Sequence, residues 1–210
     1  MIAKDPAMSA GILRLVNSSF FGLIKEENDP VRATVLLGEK IVKGLVLHIS
    51  FFSVFKEKLR YENFSIDNLS EHSLKVAEYS RKMIIYEGFE KSISEKAFTA
   101  GLLHDIGILI LVMMEKKYSQ IYPHGDTNDI DLFSEEYKLF RVSHAEIGAY
   151  LLDLWGISSE IVQTIAFHHK PEKILNKELF NIVSAVHTAD MIDNFNLTHY
   201  SNKRDKKNEK

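Results

Sequence analysis

The stretch Gly101-Leu102-Leu103-His104-Asp105-Ile106-Gly107 restricts this 210-residue chain more than any other. It sets an adjacent His-Asp pair inside a run that is otherwise almost wholly apolar. Two titratable groups in such a place are costly unless something pairs with them. A divalent cation does so well, because neutral imidazole and carboxylate are both good ligands. Hydrogen bonds from the pair to each other and to backbone are the plainer alternative. The chain has no Cys, so disulfides and thiolate sites are excluded and any metal rests on His and carboxylate.

The surrounding chain reads as helices. Asp5-Pro6 and Asp29-Pro30 are both helix starts, Asp as cap and Pro in the first turn. The first carries Ile12, Leu15, Val16 and Phe20 at helical spacing and ends in Asn17 to Gly22; the second runs through Ala33 to Leu37 and stops at Gly38. A very apolar third helix spans Glu39 to about Lys58, with His48 in it read as a satisfied core or boundary residue. After a polar seam, Lys56 to Asn63, Ser70 or Asp67 is expected to cap a helix carrying His72, Val76, Tyr79 and Met83 on one face, so His72 points inward. Ser94 is expected to cap the next, where Ala97, Gly101, His104 and Ile108 share a face. Residues 114–131 are looser, with His124 as a solvated loop histidine.

A short amphipathic helix, Leu132 to Phe140, follows. Ser143-His144-Ala145-Glu146 is a capping box that opens a helix with Ile147, Tyr150, Leu151 and Leu154 inward. Ser158 or Ser159 caps a helix placing Ile161, Ile165, His168 and His169 together, stopped by Pro171. The last, about Glu178 to Phe195, aligns Val183, Val186 and Asp190. No segment alternates with a period of two, so strands are not expected. The fold class is all-α, a multi-helix bundle with a smaller N-terminal helical part. Residues 1–60 form that part, 61–196 a second helical subdomain, and 197–210 a disordered charged tail, since 201–210 hold five basic and two acidic residues and almost nothing apolar.

Seven residues stand out. His72, His104, Asp105, His144, His168, His169 and Asp190 each lie on, or at the end of, the buried face of a helix, and the helices differ. Scattered singly, such groups are expensive; brought together, they share a metal that offsets the cost. Three or four N/O ligands with an open position suit a catalytic metal site.

The order His72 … His104-Asp105 … Asp190 resembles the metal-binding signature of the HD superfamily of phosphohydrolases. His144 and His168-His169 resemble the added ligands of its binuclear HD-GYP branch, where the final Asp bridges two metals. The segments from Asp5 to Ala10, Leu13 to Gly22, Leu36 to Gly38, Ala100 to Gly107, His144 to Leu152 and Leu154 to Gly156 resemble the HDOD domain, an HD-related output domain, over residues 1 to about 195. That family usually carries further helices before its Asp-Pro motif, which implies a truncated copy here. The resemblance implies an HD-domain-like helical fold and a regulatory role in bacterial signalling. Three departures from HD-GYP count against phosphodiesterase activity. Ile108 replaces a Lys, Lys170-Pro171-Glu172-Lys173 stands where a Gly-Tyr-Pro loop would follow, and Asn68 replaces a Glu.

Two functional expectations follow. The first is a non-catalytic signal-transduction output module, binding partner proteins or a nucleotide second messenger. The second is a metal-dependent phosphohydrolase or phosphodiesterase, with one or two Fe, Mn or Zn ions and Asp105 handling protons. A net charge of -3 gives no case for nucleic acid or an anionic membrane, and Arg32, Lys40 and Lys43 form no dense basic face. No signal peptide opens the chain and no uninterrupted apolar run approaches the roughly 20 residues of a spanning helix. A cytoplasmic location is expected.

Overall fold

The computed structural model describes residues 6–17, 23–59, 64–121 and 132–208, without side chains at 7, 15, 120–121 and 195–208. The expected Asp5 cap, the turn at Ser18 to Gly22, residues 60–63 of the seam and His124 lie outside the described residues. The elements are α1 (Pro6–Val16), α2 (Pro30–Leu37), α3 (Glu39–Lys58), α4 (Ile66–Tyr86), α5 (Lys91–Leu103), α6 (Ile106–Met114), α7 (Tyr118–Ile121), α8 (Leu132–Phe140), α9 (His144–Leu154), α10 (Ser159–Phe167), a 3₁₀ turn (Pro171–Lys173) and α11 (Lys177–Asn208). Among the described residues no strand element occurs.

Local chemistry explains most boundaries. The Asp29 carboxylate accepts from the Val31 N–H at 2.8 Å, and Pro30 opens α2 as the first helical residue. The Ser143–Glu146 capping box is fully formed at the start of α9. Two expected caps are corrected. Ser65, not Ser70 or Asp67, caps α4, because its backbone is extended and its hydroxyl accepts from Asn68 N–H at 3.2 Å. Ser94 lies inside α5, which begins after Glu90, and its hydroxyl donates back to the Lys91 carbonyl. The last helix continues past Phe195 to Asn208.

α5 lies at the centre, packed against α3, α4, α10 and α11, while α9 packs on α6 and α10. One apolar cluster joins Ile12 and Val16 of α1, Leu45 of α3, Val76 of α4, Leu102 of α5, Ile165 of α10 and Val186 of α11. Burying a side chain of this size contributes roughly 1.5–3 kcal/mol. Gly101 permits the close approach of α5 to α4: a Cβ there would stand 2.9 Å from the Ala77 Cα. Residues 91–114 are by length and composition apolar enough to cross a membrane, but 83% of their most apolar window is buried inside the molecule.

The inward face of α9 is also corrected. Ala145, Gly148, Ala149 and Leu152 are buried, whereas Tyr150 and Leu154 are exposed. Gly148 lets the α9 backbone lie against that of α6 at Gly107, Ile147 packs on the core as expected, and Tyr150 and Leu154 are turned outward.

Candidate metal centre

The helix expected to carry Ala97 through Ile108 is broken at its His-Asp pair. α5 ends at Leu103, His104 and Asp105 form a turn with Asp105 at φ -100° and ψ 10°, and α6 begins at Ile106. A similar arrangement recurs at the end of α10, where His168 and His169 follow Phe167. At both places a helix-end carbonyl lacks its intrahelical partner, and a histidine three residues on supplies it. His104 Nδ1 donates to the Gly101 carbonyl at 2.8 Å, and His168 Nδ1 to the Ile165 carbonyl at 2.7 Å. Each bond fixes the proton of the neutral ring on Nδ1 and leaves Nε2 as a bare acceptor. His187 Nδ1 in turn donates to the His168 carbonyl at 2.8 Å.

Two more histidines are held from behind by carboxylates. His72 Nδ1 meets Asp193 Oδ2 at 2.8 Å. His144 Nδ1 meets Glu136 Oε1 at 2.7 Å, and the His144 backbone N–H donates to Glu136 Oε2 at 2.9 Å. Four Nε2 atoms from four different parts of the chain therefore face one another.

All seven residues singled out in the sequence meet here. They form two adjoining groups, Asp105 with His144, His168 and His169, and His72 with His104 and Asp190. Within each group one candidate ligand atom per residue lies within 4.8 Å of every other. Asp105 spans the two. Its Oδ2 is 3.2 Å from His104 Nε2 and 3.6 Å from His72 Nε2, and its Oδ1 is 3.4 Å from His144 Nε2 and 3.8 Å from His168 Nε2. The family pattern gave the bridging place to the final Asp. Asp190 does reach both groups, at 3.2 Å from His72 Nε2 and 3.9 Å from His169 Nδ1, but the carboxylate between two pairs of Nε2 atoms is that of Asp105.

Burial sharpens the electrostatics. His72, His104, Asp105, His144, His168 and Asp190 are each no more than 6% exposed, and His169 is partly open. Burial opposes charge on His72, yet Asp190, Asp193 and Asp105 raise its pKa to about 10. Burial likewise opposes charge on His144, and Glu136 and Asp105 outweigh it, so its pKa is raised. Burial and neighbouring histidines push His168 well below the ordinary range and His169 down to about 4. Burial opposes ionisation of Asp105 and Asp190, but the surrounding imidazoles hold both carboxyls below the usual range, Asp105 far below. Protons on His72 and His144 thus offset the carboxylates, a task that a cation also performs.

The residues fit a divalent metal on a direct test. His168 Nε2 is completely buried and makes no hydrogen bond. His72 and His104 bring Nε2 atoms to 3.3 Å, and His144 and His169 to 3.0 Å, so a proton or a metal ion has to sit between each pair of rings. Ligand atoms bound at about 2.1 Å to one ion lie at most about 4.2 Å apart, and the pairs His72–His104, His144–His169, Asp105–His144 and Asp105–His168 fall inside that limit. The donor set would divide as His144, His168, His169 and Asp105 on one side, and His72, His104, Asp190 and Asp105 on the other.

Glu136 and Asp193 were not singled out from sequence. Asp193 was findable, since it follows Asp190 by three positions on the same helix face. Glu136 was not, because Glu135-Glu136 in a short amphipathic helix reads as a solvated edge. His48 behaves as expected, buried with Nε2 2.9 Å from Ser70 Oγ and stacked on Phe52.

The HDOD domain model matches residues 1–171. An uncharacterized protein of Treponema pallidum (strain Nichols) is 24% identical over 177 residues, 80% of this chain but 32% of that protein. An HDOD domain protein with unknown function from Geobacter sulfurreducens superposes with a TM-score of 0.73 at 26% identity, over 91% of this chain and 63% of that one. A Shewanella amazonensis SB2B protein, provisionally named a phosphohydrolase, gives 0.68 at 26% identity, over 91% and 67%. The chain thus spans about a third of the curated relative and under two thirds of the Geobacter structure. With the family match over most of its length and the same helical architecture in solved relatives, the chain belongs to the HDOD domain family.

Proposed function

We propose that this chain is a bacterial, cytoplasmic signal-transduction output module that holds a divalent metal centre in its core and does not turn over a phosphodiester. Its targets are partner proteins, or a nucleotide second messenger. The enclosure of the centre carries this reading. Six of the seven candidate ligands are no more than 6% exposed. Phe133 stands edge-on to the seventh, His169, at 5.0 Å, and the Lys170 ammonium lies 4.6 Å from the centre of the Phe133 ring. A phosphodiester needs room at the metal, and the HD-GYP pattern adds a Lys after its His-Asp-Ile-Gly run. The position after the His-Asp-Ile-Gly run is Ile108, itself buried in the core.

A second reading, a metal-dependent phosphohydrolase, is favoured by the pre-oriented Nε2 atoms and the unsatisfied His168 Nε2. A bound divalent cation would supply Lewis acidity and lower the pKa of a bound water. Asp105, with both oxygens turned to the Nε2 atoms, would help hold that cation.

The test is metal analysis of the purified chain followed by hydrolysis of bis(p-nitrophenyl) phosphate with Mn²⁺, Fe²⁺ or Zn²⁺. His104→Ala and Asp105→Ala serve as controls. The proposal expects bound metal and no hydrolysis above the two controls. Metal-dependent turnover lost in both variants establishes the hydrolase instead. A wild type that binds no metal leaves the regulatory assignment on family membership alone.

A further inference from the structure

We infer that Glu136 is a positioning residue for the half of the centre built on His144, and that it sets the affinity of that half for its cation independently of the other. The inference rests on the metal-holding part of the reading above. Glu136 is fully buried on α8, and both of its oxygens are engaged. Oε1 takes the His144 Nδ1–H at 2.7 Å and the Tyr118 hydroxyl, and Oε2 takes the His144 backbone N–H at 2.9 Å. The fully buried Glu136 carboxyl is thus bound to one histidine at two points, its ring Nδ1 and its backbone N–H. Helix capping does not require it, since Ser143 and Glu146 complete the capping box at the start of α9.

The other half has a counterpart. Asp193, 2% exposed, meets His72 Nδ1 at 2.8 Å. His104 and His168 are held by carbonyls instead. Each half of the centre therefore contains one imidazole backed by an acidic side chain, and the two side chains serve different halves. A carboxylate behind a ligating imidazole fixes its tautomer and makes Nε2 a stronger donor. Losing it weakens the ion that this imidazole holds and leaves the other ion in place.

The experiment is equilibrium titration of the metal-free chain with Co²⁺, read by bound cobalt and its visible absorption. Thermal melting of each metal-free variant checks the fold. The wild type is expected to take up two ions. Glu136→Gln weakens one binding step by about 10–100-fold and leaves the other unchanged. Asp193→Asn weakens the other step. Unchanged binding in Glu136→Gln, or equal weakening of both steps, overturns the inference and leaves the metal reading standing. A wild type that takes one ion overturns the division into halves, and with it the inference. A wild type that takes none overturns both. Should Glu136→Gln not fold, Glu136→Asp keeps the charge at shorter reach. Selective weakening of one step then supports the assignment, and wild-type binding overturns it.

Discussion

Gly107 lies directly against the backbone of His144: a Cβ built on Gly107 would fall 2.0 Å from the His144 carbonyl oxygen. No side chain fits there, and no flexible group is available to give way. The contact presses the start of α6 onto the start of α9, which is how the His104–Asp105 turn comes within reach of His144 Nε2.

Gly107→Ala is therefore expected to destabilise the chain by about 3 kcal/mol, the upper end of ordinary overpacking. Gly148→Ala, whose Cβ would meet the Gly107 nitrogen at 3.2 Å, should cost about 1 kcal/mol, the lower end. Chemical denaturation of both variants measures the difference. A Gly107→Ala chain as stable as the wild type would mean that the two helices do not meet in this way.

His48 supplies a pH test away from the centre. Burial pushes its pKa down to about 4 from an ordinary 6.5. The folded chain keeps the ring neutral while the unfolded chain protonates it. The stability from neutral His48 is fully present above about pH 6.5 and is lost as the pH falls through about 4, in all about 3 kcal/mol. His48→Gln lacks this titration. Between about pH 7 and pH 4, denaturation should show the wild type losing about 3 kcal/mol more than the variant. Parallel pH profiles would contradict the assignment.

Much of the centre was legible in the sequence, for a definite reason. A histidine on an apolar helical stripe is conspicuous, and His72, His168 and Asp190 were found by spacing alone. The caps at Asp29 and Ser143 were equally plain, because a side-chain oxygen with a defined offset has few other uses there. What escaped was tertiary. Continuous helical spacing across Gly101, His104 and Ile108 conceals the break at the His-Asp pair. That break is stabilised by a side chain satisfying a carbonyl. The outward turn of Tyr150 and Leu154 follows from the close approach of Gly107 and Gly148, and apolar periodicity carries no information about it. Glu136 is buried only because distant Tyr118 and His144 bind it.

His168 makes a prediction about stability without metal. Its Nε2 is buried with no hydrogen bond, a state that costs about 1–3 kcal/mol. His168→Leu also removes the Nδ1–H bond to the Ile165 carbonyl, so gain and loss offset and the metal-free variant should stay within about 1 kcal/mol of the wild type. Divalent metal should raise the melting temperature of the wild type much more than that of the variant. Melting curves with EDTA and with added Mn²⁺ decide it. A His168→Leu chain that gains as much from Mn²⁺ as the wild type would remove His168 from the ligand set.

Anomalous X-ray diffraction from crystals of the metal-loaded chain is the most direct measurement. Two peaks are expected, one on each side of the Asp105 carboxylate. The ion beside Oδ1 should also contact His144, His168 and His169, and the ion beside Oδ2 should also contact His72, His104 and Asp190, at about 2.0–2.2 Å. Peaks elsewhere on the surface, with the seven side chains bound only to one another, would contradict a metal centre in the core.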